Sequence, residues 1–195
     1  MCSMPTCGAT GGGGRMSAEP RILFLRGVNV GTSRKLPMAD LRALLAGLGL
    51  TGVTTHIQSG NAVFRDPQRR ADLAGRVLDA IGAAFPFRPE ALVLDLPALE
   101  GVLAANPYAT IEDPSRVQIG FLAAGGAADT ERLAALAAPG EGWHLTEAAL
   151  YLHLPWGSGR SKLAAGAEKA VRTPMTMRNR RVAEAVAALA REMTC

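Results

Sequence analysis

The most informative stretch of the chain is residues 21–65, which read RILFLRGVNVGTSRKLPMADLRALLAGLGLTGVTTHIQSGNAVFR. Its first five residues, RILFL, are almost all apolar, which is typical of a central strand that is buried on both faces. Leucines at helical spacing follow Pro37 and predict a helix. Residues 53–65 alternate in polarity and turn back at Ser59-Gly60, which predicts a β-hairpin. This stretch therefore predicts the order β-α-β-β.

The chain beyond this stretch extends the same pattern. A helix that starts at Asp66-Pro67 and a strand at residues 91–96 complete the β-α-β-β-α-β order of a ferredoxin-like fold. The second half partly repeats this order, with a predicted strand at 117–122, a helix at 130–137, a hairpin at 142–154, a helix at 161–171 and a last helix at about 177–191 that Thr176 caps.

We therefore expect an α+β protein of two ferredoxin-like (split βαβ) subdomains, with helices packed on antiparallel or mixed sheets. The first subdomain is predicted to span residues 21–106 and the second residues 107–195. Residues 1–20 include four consecutive glycines, which cannot support packing, so we interpret them as a flexible extension.

Composition and charge exclude several classes of protein. The chain has 195 residues, of which 48% are apolar and 19% charged, and this argues against disorder, collagen and coiled coil. No apolar run approaches the roughly 18 residues of a transmembrane helix, so no membrane association is expected. Residues 89–150 hold 2 basic and 9 acidic side chains, whereas the flanking segments are basic. This segregation is compatible with a local anion site. It is also compatible with simple pairing of the basic end segments with the acidic middle segment.

The cysteines indicate no metal site and no disulfide framework. The chain has three cysteines: Cys2, Cys7 and Cys195. An odd number of cysteines in a sequence without a signal peptide predicts reduced thiols and a cytoplasmic location. The spacing of the first two fits no common zinc motif. We predict neither a metal nor a cofactor.

Two polar segments are candidates for ligand binding in the first subdomain. Arg26, Gly27 and Asn29 follow a central strand, where glycines allow backbone N–H groups to approach an anion. The loop has neither dinucleotide nor P-loop spacing, and it is equally compatible with a tight crossing in which Arg26 pairs with a carboxylate or a carbonyl. Polar side chains also cluster in the hairpin turn, where they either orient a polar ligand or only form the turn: Gln58, Ser59 and Asn61.

The predicted start of the last helix is a third candidate. Arg178, Arg180 and Arg181 are expected in its first turn, where cations are unfavourable unless an anion compensates them. Backbone N–H groups and guanidinium groups together form a suitable anion site. We expect Arg178 and Asn179 to converge on a phosphate or carboxylate with residues of the first subdomain, namely Arg26, Asn29 or Lys35. The alternative is pairing with acidic residues of the middle segment.

Other candidates have weaker signals. His144 and His153 lie on the two strands of one predicted hairpin but lack a third metal ligand. The aromatic residues of the same region either stack a base or belong to the core: Trp143, Tyr151 and Trp156. Neither Ser59 nor His56 has a recognisable partner for nucleophilic catalysis.

Four motifs of the chain resemble a known bacterial family, the domain of unknown function 1697. The motifs are LRGVNVG at 25–31, KLPM at 35–38, IQSGN at 57–61 and TMRN at 176–179. Arg180 stands where that family usually has a tryptophan. The resemblance implies paired ferredoxin-like subdomains and carries no established activity.

Three functions are compatible with these observations. The first is binding of an anionic or phosphorylated ligand, such as a nucleotide or a single-stranded nucleic acid, in a cleft between the subdomains. The second is an enzyme, a hydrolase or a transferase, that uses the same cleft. The third is a structural or interaction module whose polar cluster only holds the subdomains together. The oligomeric state is left open.

Overall fold

The computed structural model describes residues 18–31, 34–123 and 128–194. The predictions for the three cysteines concern residues outside these ranges. Of the extension expected at residues 1–20, only residues 18–20 are described, and Pro20 already begins the first strand. None of the helices in the described part is long and apolar enough to span a membrane.

The two halves of the chain have the same element order. The first half comprises β1 (Pro20–Arg26), α1 (Met38–Gly47), β2 (Thr51–His56), β3 (Asn61–Arg65), α2 (Leu73–Ala84) and β4 (Glu90–Asp95). After the connecting helix α3 (Leu96–Ala104), the second half comprises β5 (Val117–Leu122), α4 (Thr130–Leu136), β6 (Gly142–Leu145), β7 (Ala149–His153), α5 (Lys162–Val171) and β8 (Met175–Asn179). The C-terminal helix α6 (Arg180–Glu192) follows.

Each half forms one four-stranded sheet. The strand orders are β2-β3-β1-β4 and β6-β7-β5-β8, and all neighbouring strands are antiparallel. Both orders are those of the ferredoxin-like fold, so the predicted fold class is confirmed. We call the β1–β4 sheet with α1 and α2 the first subdomain, and the β5–β8 sheet with α4 and α5 the second.

The two sheets face each other across a shared core that contains α3 and α6. Side chains alternate along β1, so that Ile22 and Phe24 point into this central layer while Leu23 and Leu25 pack against α1 and α2. Helices α4 and α5 cover the outer face of the second sheet. Beside the helices the sheets touch directly, where the rings of Phe24 and Phe121 lie 5.0 Å apart.

Two helices begin at residues other than those that the sequence predicts. Helix α2 begins at Leu73 rather than at Asp66, because the Asp66 carboxylate accepts hydrogen bonds from the backbone N–H groups of Gln68 (3.1 Å) and Arg70 (2.6 Å) and holds a turn there. The last helix begins at Arg180 rather than at about residue 177. The preceding five residues form β8, a strand that the sequence analysis did not predict.

Candidate functional site

A cleft of about 510 Å³ lies between the two subdomains. One wall consists of the end of β1 with the loop that follows it, together with Ser59 from the β2–β3 turn. The other wall consists of β8, one face of α5 and the turn that precedes α5. Four of the residues proposed from the sequence line this cleft, namely Arg26, Gly27, Ser59 and Arg178.

Strand β8 directs the side chain of Arg178 across to the first subdomain. Arg178 pairs with Ile119 on β5, whose side chain belongs to the central layer, so alternation places Arg178 on that same face. Its guanidinium donates from Nε to Asn61 Oδ1 (2.6 Å) and from Nη2 to the carbonyls of Leu25 (2.5 Å) and Ser59 (3.1 Å). Arg178 therefore connects the two sheets at the cleft.

The charge of Arg178 has no acidic partner among the residues that the structure describes. Besides the three acceptors above, Nη1 donates to the carbonyl of Met177 (2.8 Å), and the guanidinium lies 5.2 Å from the ring centre of Phe24. Burial lowers the pKa of Arg178 to about 10, because desolvation disfavours its charged form. Only dipoles and a ring face compensate this cation, which lies on the wall of an open cleft.

Arg26, by contrast, is paired with carboxylates. Nη1 and Nη2 donate to the two oxygens of Glu168 on α5, both at 2.5 Å, and Nη1 also donates to Glu90 on β4 (3.1 Å). The hydrogen bond with Glu168 is the main cause of the raised pKa of Arg26, although burial opposes it. The alternative that the sequence analysis left open for Arg26, pairing with a nearby carboxylate, is the arrangement in the structure.

The loop after β1 is held in shape by Asn29. Its side-chain Nδ2 donates to the carbonyls of Leu36 (2.9 Å) and Gln58 (2.7 Å), and its Oδ1 accepts from the N–H of Leu36 (2.8 Å). Positive φ angles at Gly27, Asn29 and Gly31 alternate with ordinary ones at the intervening valines. Such alternation turns successive backbone N–H groups toward one side, as in anion-binding loops.

The β2–β3 turn is fixed against β1. Asn61 is fully buried and donates from Nδ2 to the carbonyl of His56 (3.1 Å) and to Ser59 Oγ (2.8 Å). Gly60 has a φ of 73°, and a Cβ at this position would lie 2.7 Å from atoms of Leu25 and Val28. The close approach of the turn to β1 therefore requires glycine.

The remaining residues proposed from the sequence lie outside the cleft lining. Asn179 is the N-cap of α6, because its Oδ1 accepts from the N–H of Val182 (2.9 Å). The side chains of Asn29 and Asn61 form hydrogen bonds within the loop and the turn and do not line the cleft. The side chains of Gln58 and Lys35 are exposed and do not line the cleft.

The predicted cluster of three arginines at the start of a helix does not form. Arg178 lies on β8, so the helix-dipole argument does not apply to it. Arg180 is buried and donates to the carbonyls of Tyr108 (3.0 Å), Ala109 and Ile111 (2.6 Å). Arg181 is exposed and pairs with Asp113 at 3.4 Å. For Arg181, the alternative prediction of pairing with an acidic residue of the middle segment is therefore the arrangement in the structure.

The histidines and aromatic residues that had weaker signals do not form one shared site in the described structure. His144 lies opposite Tyr151, and His153 lies opposite Gly142, so the two histidines do not face each other. Within the described ranges, no group of three metal-ligating side chains is placed to hold an ion. Tyr151 is buried, and its hydroxyl donates to the carbonyl of Val102 (2.8 Å), whereas Trp156 is 78% exposed.

Several residues that line the cleft were not predicted from the sequence. Glu168 lies on the face of α5 that lines it, together with Ala164, Ala165 and the N-cap residue Ser161. No local pattern distinguishes this glutamate from other helical surface residues. Strand β8 did have a signal, since Met175 and Met177 alternate with polar residues, but the segment is short and runs directly into a helix.

Comparison with known proteins identifies the family and supports the fold. No curated protein matches the chain significantly. Among solved structures, the conserved bacterial protein SP0830 from Streptococcus pneumoniae is similar, with a TM-score of 0.63 and 22% sequence identity over 88% of this chain and 98% of that one. The family model "Protein of unknown function (DUF1697)" matches residues 19–151. This is most of the chain, and the LRGVNVG, KLPM and IQSGN motifs lie inside the match, so the chain belongs to the DUF1697 family.

Proposed function

We propose that the cleft between the subdomains binds a small anionic ligand that carries a phosphate or a carboxylate. The observation that carries this proposal is the charge of Arg178. It is a largely buried guanidinium on the cleft wall, and no carboxylate among the described residues lies within ion-pair distance of it. An anion in the cleft would supply the charge compensation that the surrounding carbonyl groups provide only as dipoles.

Arg26 would contribute a second cation to the same ligand. Its side chain is 37% exposed, as is that of Glu168, and ion pairs this accessible contribute little stability. A phosphate or carboxylate can therefore compete with Glu168 for one side of the Arg26 guanidinium. The backbone of Gly27 and Val28, which also lines the cleft, would face the same anion.

A specific observation also favours the structural function. Arg178 already makes four hydrogen bonds, and its partners Leu25, Ser59 and Asn61 belong to the other subdomain. These contacts connect the two sheets without any ligand. The enzyme function has less support, because the ionisable side chains in the described lining are Arg26, Glu168 and Arg178, and Glu168 is the only acid or base among them.

Thermal unfolding in the presence of anions tests the proposal. Inorganic phosphate, sugar phosphates, mononucleotides and dicarboxylates are each added to the purified protein. A ligand at 100 times its dissociation constant stabilises by about 2.7 kcal/mol. For a chain of this size, that raises Tm by roughly 5–11 °C. If no anion raises Tm, the ligand-binding proposal is wrong and the structural function stands.

A variant that fills the cleft shows where an anion binds. Ala165 is an exposed residue of α5 that lines the cleft, so Ala165→Leu narrows it without disturbing the core. The matched control is Ala188→Leu, the same substitution at an exposed position of α6 that does not line the cleft. We expect the ligand-induced rise in Tm to disappear in the first variant and to persist in the second. An equal rise in both would place the anion elsewhere.

A further inference from the structure

Exposed apolar side chains occur in or close to the segments that line the cleft. The large hydrophobic residues that are exposed in the described part of the chain are Val30 (68%), Ile57 (52%) and Trp156 (78%). Val30 lines the cleft, and Ile57 and Trp156 each precede a lining residue by two positions, Ser59 and Ser158 respectively. Val30 therefore lies at the cleft itself, Ile57 lies in the turn that contributes Ser59, and Trp156 lines a neighbouring cavity.

The backbone at Ile57 is strained. Its φ is 48°, a left-handed conformation that is unusual for a β-branched residue and costs of the order of 1–3 kcal/mol. Glycine or asparagine would adopt this conformation more easily. The turn nevertheless holds an isoleucine there with half of its surface exposed to solvent. Strain of this kind concentrates at ligand-binding sites.

Basic residues also lie close in the chain to cleft-lining residues of both subdomains. Arg34 and Lys35 follow the loop of the first subdomain, and Nη1 of Arg34 lies next to Gly27, 2.9 Å from where a Cβ would be. Arg160 and Lys162 follow Trp156 on the second subdomain. All four are exposed, and none forms a salt bridge with a described residue.

A second cavity adjoins the cleft at Ser161. It measures about 350 Å³, and its lining includes Trp156, Arg160 and Lys162. Ser161 lines both this cavity and the cleft, so the short segment around it separates two neighbouring depressions. A ligand that reaches from Arg178 in the cleft to the ring of Trp156 must cross this segment, and it is therefore longer than a single phosphate or a small carboxylate.

We propose that the mouth of the cleft binds a single-stranded nucleic acid. One base stacks on Trp156, Arg160 and Lys162 hold adjacent phosphates, and the strand continues across Ser161 so that one of its phosphates enters the cleft toward Arg178. An exposed aromatic ring that shares a cavity with basic side chains lacking a salt bridge to any described residue is the combination that single strands require. A duplex does not fit, because its bases are stacked on each other and unavailable to a side chain. This inference rests on the proposed anion site.

Fluorescence anisotropy with a labelled oligonucleotide tests the inference. A ten-nucleotide single strand of DNA or RNA is titrated with the protein, and the same sequence as a duplex serves as the comparison. We expect the single strand to bind more tightly. Trp156→Ala should weaken single-strand binding roughly 5- to 150-fold, the effect of losing one stacked base. Equal affinity for the duplex, or an unchanged affinity of the variant, overturns the proposal.

A charge-reversal pair tests the phosphate contacts. Arg160→Glu with Lys162→Glu should lower affinity and reduce the slope of log affinity against log salt by about 1.4, since each phosphate contact on a single strand contributes about 0.7. The matched control reverses Arg69 and Arg76, which are exposed basic residues that follow the end of β3 opposite the cleft. If the control weakens binding as much, the attraction is only that of net charge and the proposal fails.

The outcomes also separate this inference from the proposed function. If inorganic phosphate or mononucleotides raise Tm in a way that Ala165→Leu abolishes, while no oligonucleotide binds, the anion site stands and the nucleic-acid inference is wrong. If oligonucleotides bind and Trp156→Ala weakens them, but Ala165→Leu has no effect, the stacking site stands and the strand does not enter the cleft. That result would contradict the part of the inference that rests on Arg178.

Discussion

Arg178 and Arg180 lie two residues apart, and both bury a guanidinium against backbone carbonyls. Arg178 reaches into the other subdomain, where its acceptors include the fully buried Asn61 and the carbonyl of the buried Leu25. Arg180 reaches an exposed loop and has Glu184 at 3.3 Å from its Nε. The two arginines therefore differ in charge compensation: Arg180 has a carboxylate beside it, whereas Arg178 lies on a cleft wall with no carboxylate partner among the described residues.

The largest expected effect is that of Arg178→Leu on stability. The substitution leaves Asn61 Oδ1 and the Leu25 carbonyl buried without a donor, at about 1–3 kcal/mol for each unsatisfied group. We expect a total loss of about 3 kcal/mol, which lowers Tm by roughly 6–12 °C. Thermal and urea unfolding measure it. Arg178→Lys, which keeps the charge but not the planar donor geometry, should recover only part of the loss.

Removing Arg180 should cost less. The carbonyls that it binds belong to residues 108–111, a loop in which Ala109 and Thr110 are exposed, so water can replace the lost donor. We expect Arg180→Met to cost about 1–2 kcal/mol. The rise in Tm caused by an anion should remain intact. A loss of that response would mean that Arg180 acts on the cleft and that the comparison with Arg178 is wrong.

Glu168→Gln tests the second cation of the site. The substitution removes the carboxylate that pairs with Arg26 in two hydrogen bonds, which frees the guanidinium for a ligand. Because the pair is partly exposed, we expect little change in stability and about two- to fivefold tighter binding of an anion. Glu90→Gln is the control, since Glu90 makes a single bond to Arg26 and is 62% exposed. Titration calorimetry with the anion found by thermal unfolding measures both, and weaker binding would show that Glu168 itself contacts the ligand.

The smallest expected effect concerns Asp113, the acidic partner of Arg181. Hydrogen bonds from the hydroxyl and then the N–H of Ser115 lower the pKa of Asp113 below its usual 3.8. Its stabilising contribution is therefore present above pH 3.8 and lost as the pH falls through the lower folded value. We expect Asp113→Asn to lower Tm by less than about 2 °C at pH 7. The difference from the unmodified protein should vanish in acid, and a difference that persists there would exclude ionisation as its cause.

Most of the fold follows from local patterns in the sequence. The alternation at the β2–β3 hairpin and the apolar run at β1 are properties of neighbouring residues, and the structure has both elements where the patterns predict them. Strand β8 was not predictable in the same way. The five residues that precede α6 become a strand because β5 offers an edge with which they pair. The paired residues of β5 lie 53 to 61 positions earlier in the chain.

The start of α2 shows the same limit on a smaller scale. Asp66-Pro67 has the composition of a helix start, yet the two oxygens of Asp66 are already used by backbone N–H groups of the following turn. A side chain that can cap either a helix or a turn gives the same signal in the sequence. The packing of Leu73, Val77 and Ile81 against the sheet decides where the helix begins.

Local patterns were sufficient to predict the repeated β-α-β-β order, the family motifs and the cluster of polar residues in the β1 loop and the hairpin turn. The partners of those residues follow from the tertiary structure. Arg178 meets Asn61 across 117 residues, and Arg26 meets Glu168 across 142. Strand and helix preferences act over a few neighbouring residues, whereas the choice of a partner for a charged side chain depends on which surfaces the folded sheets bring together.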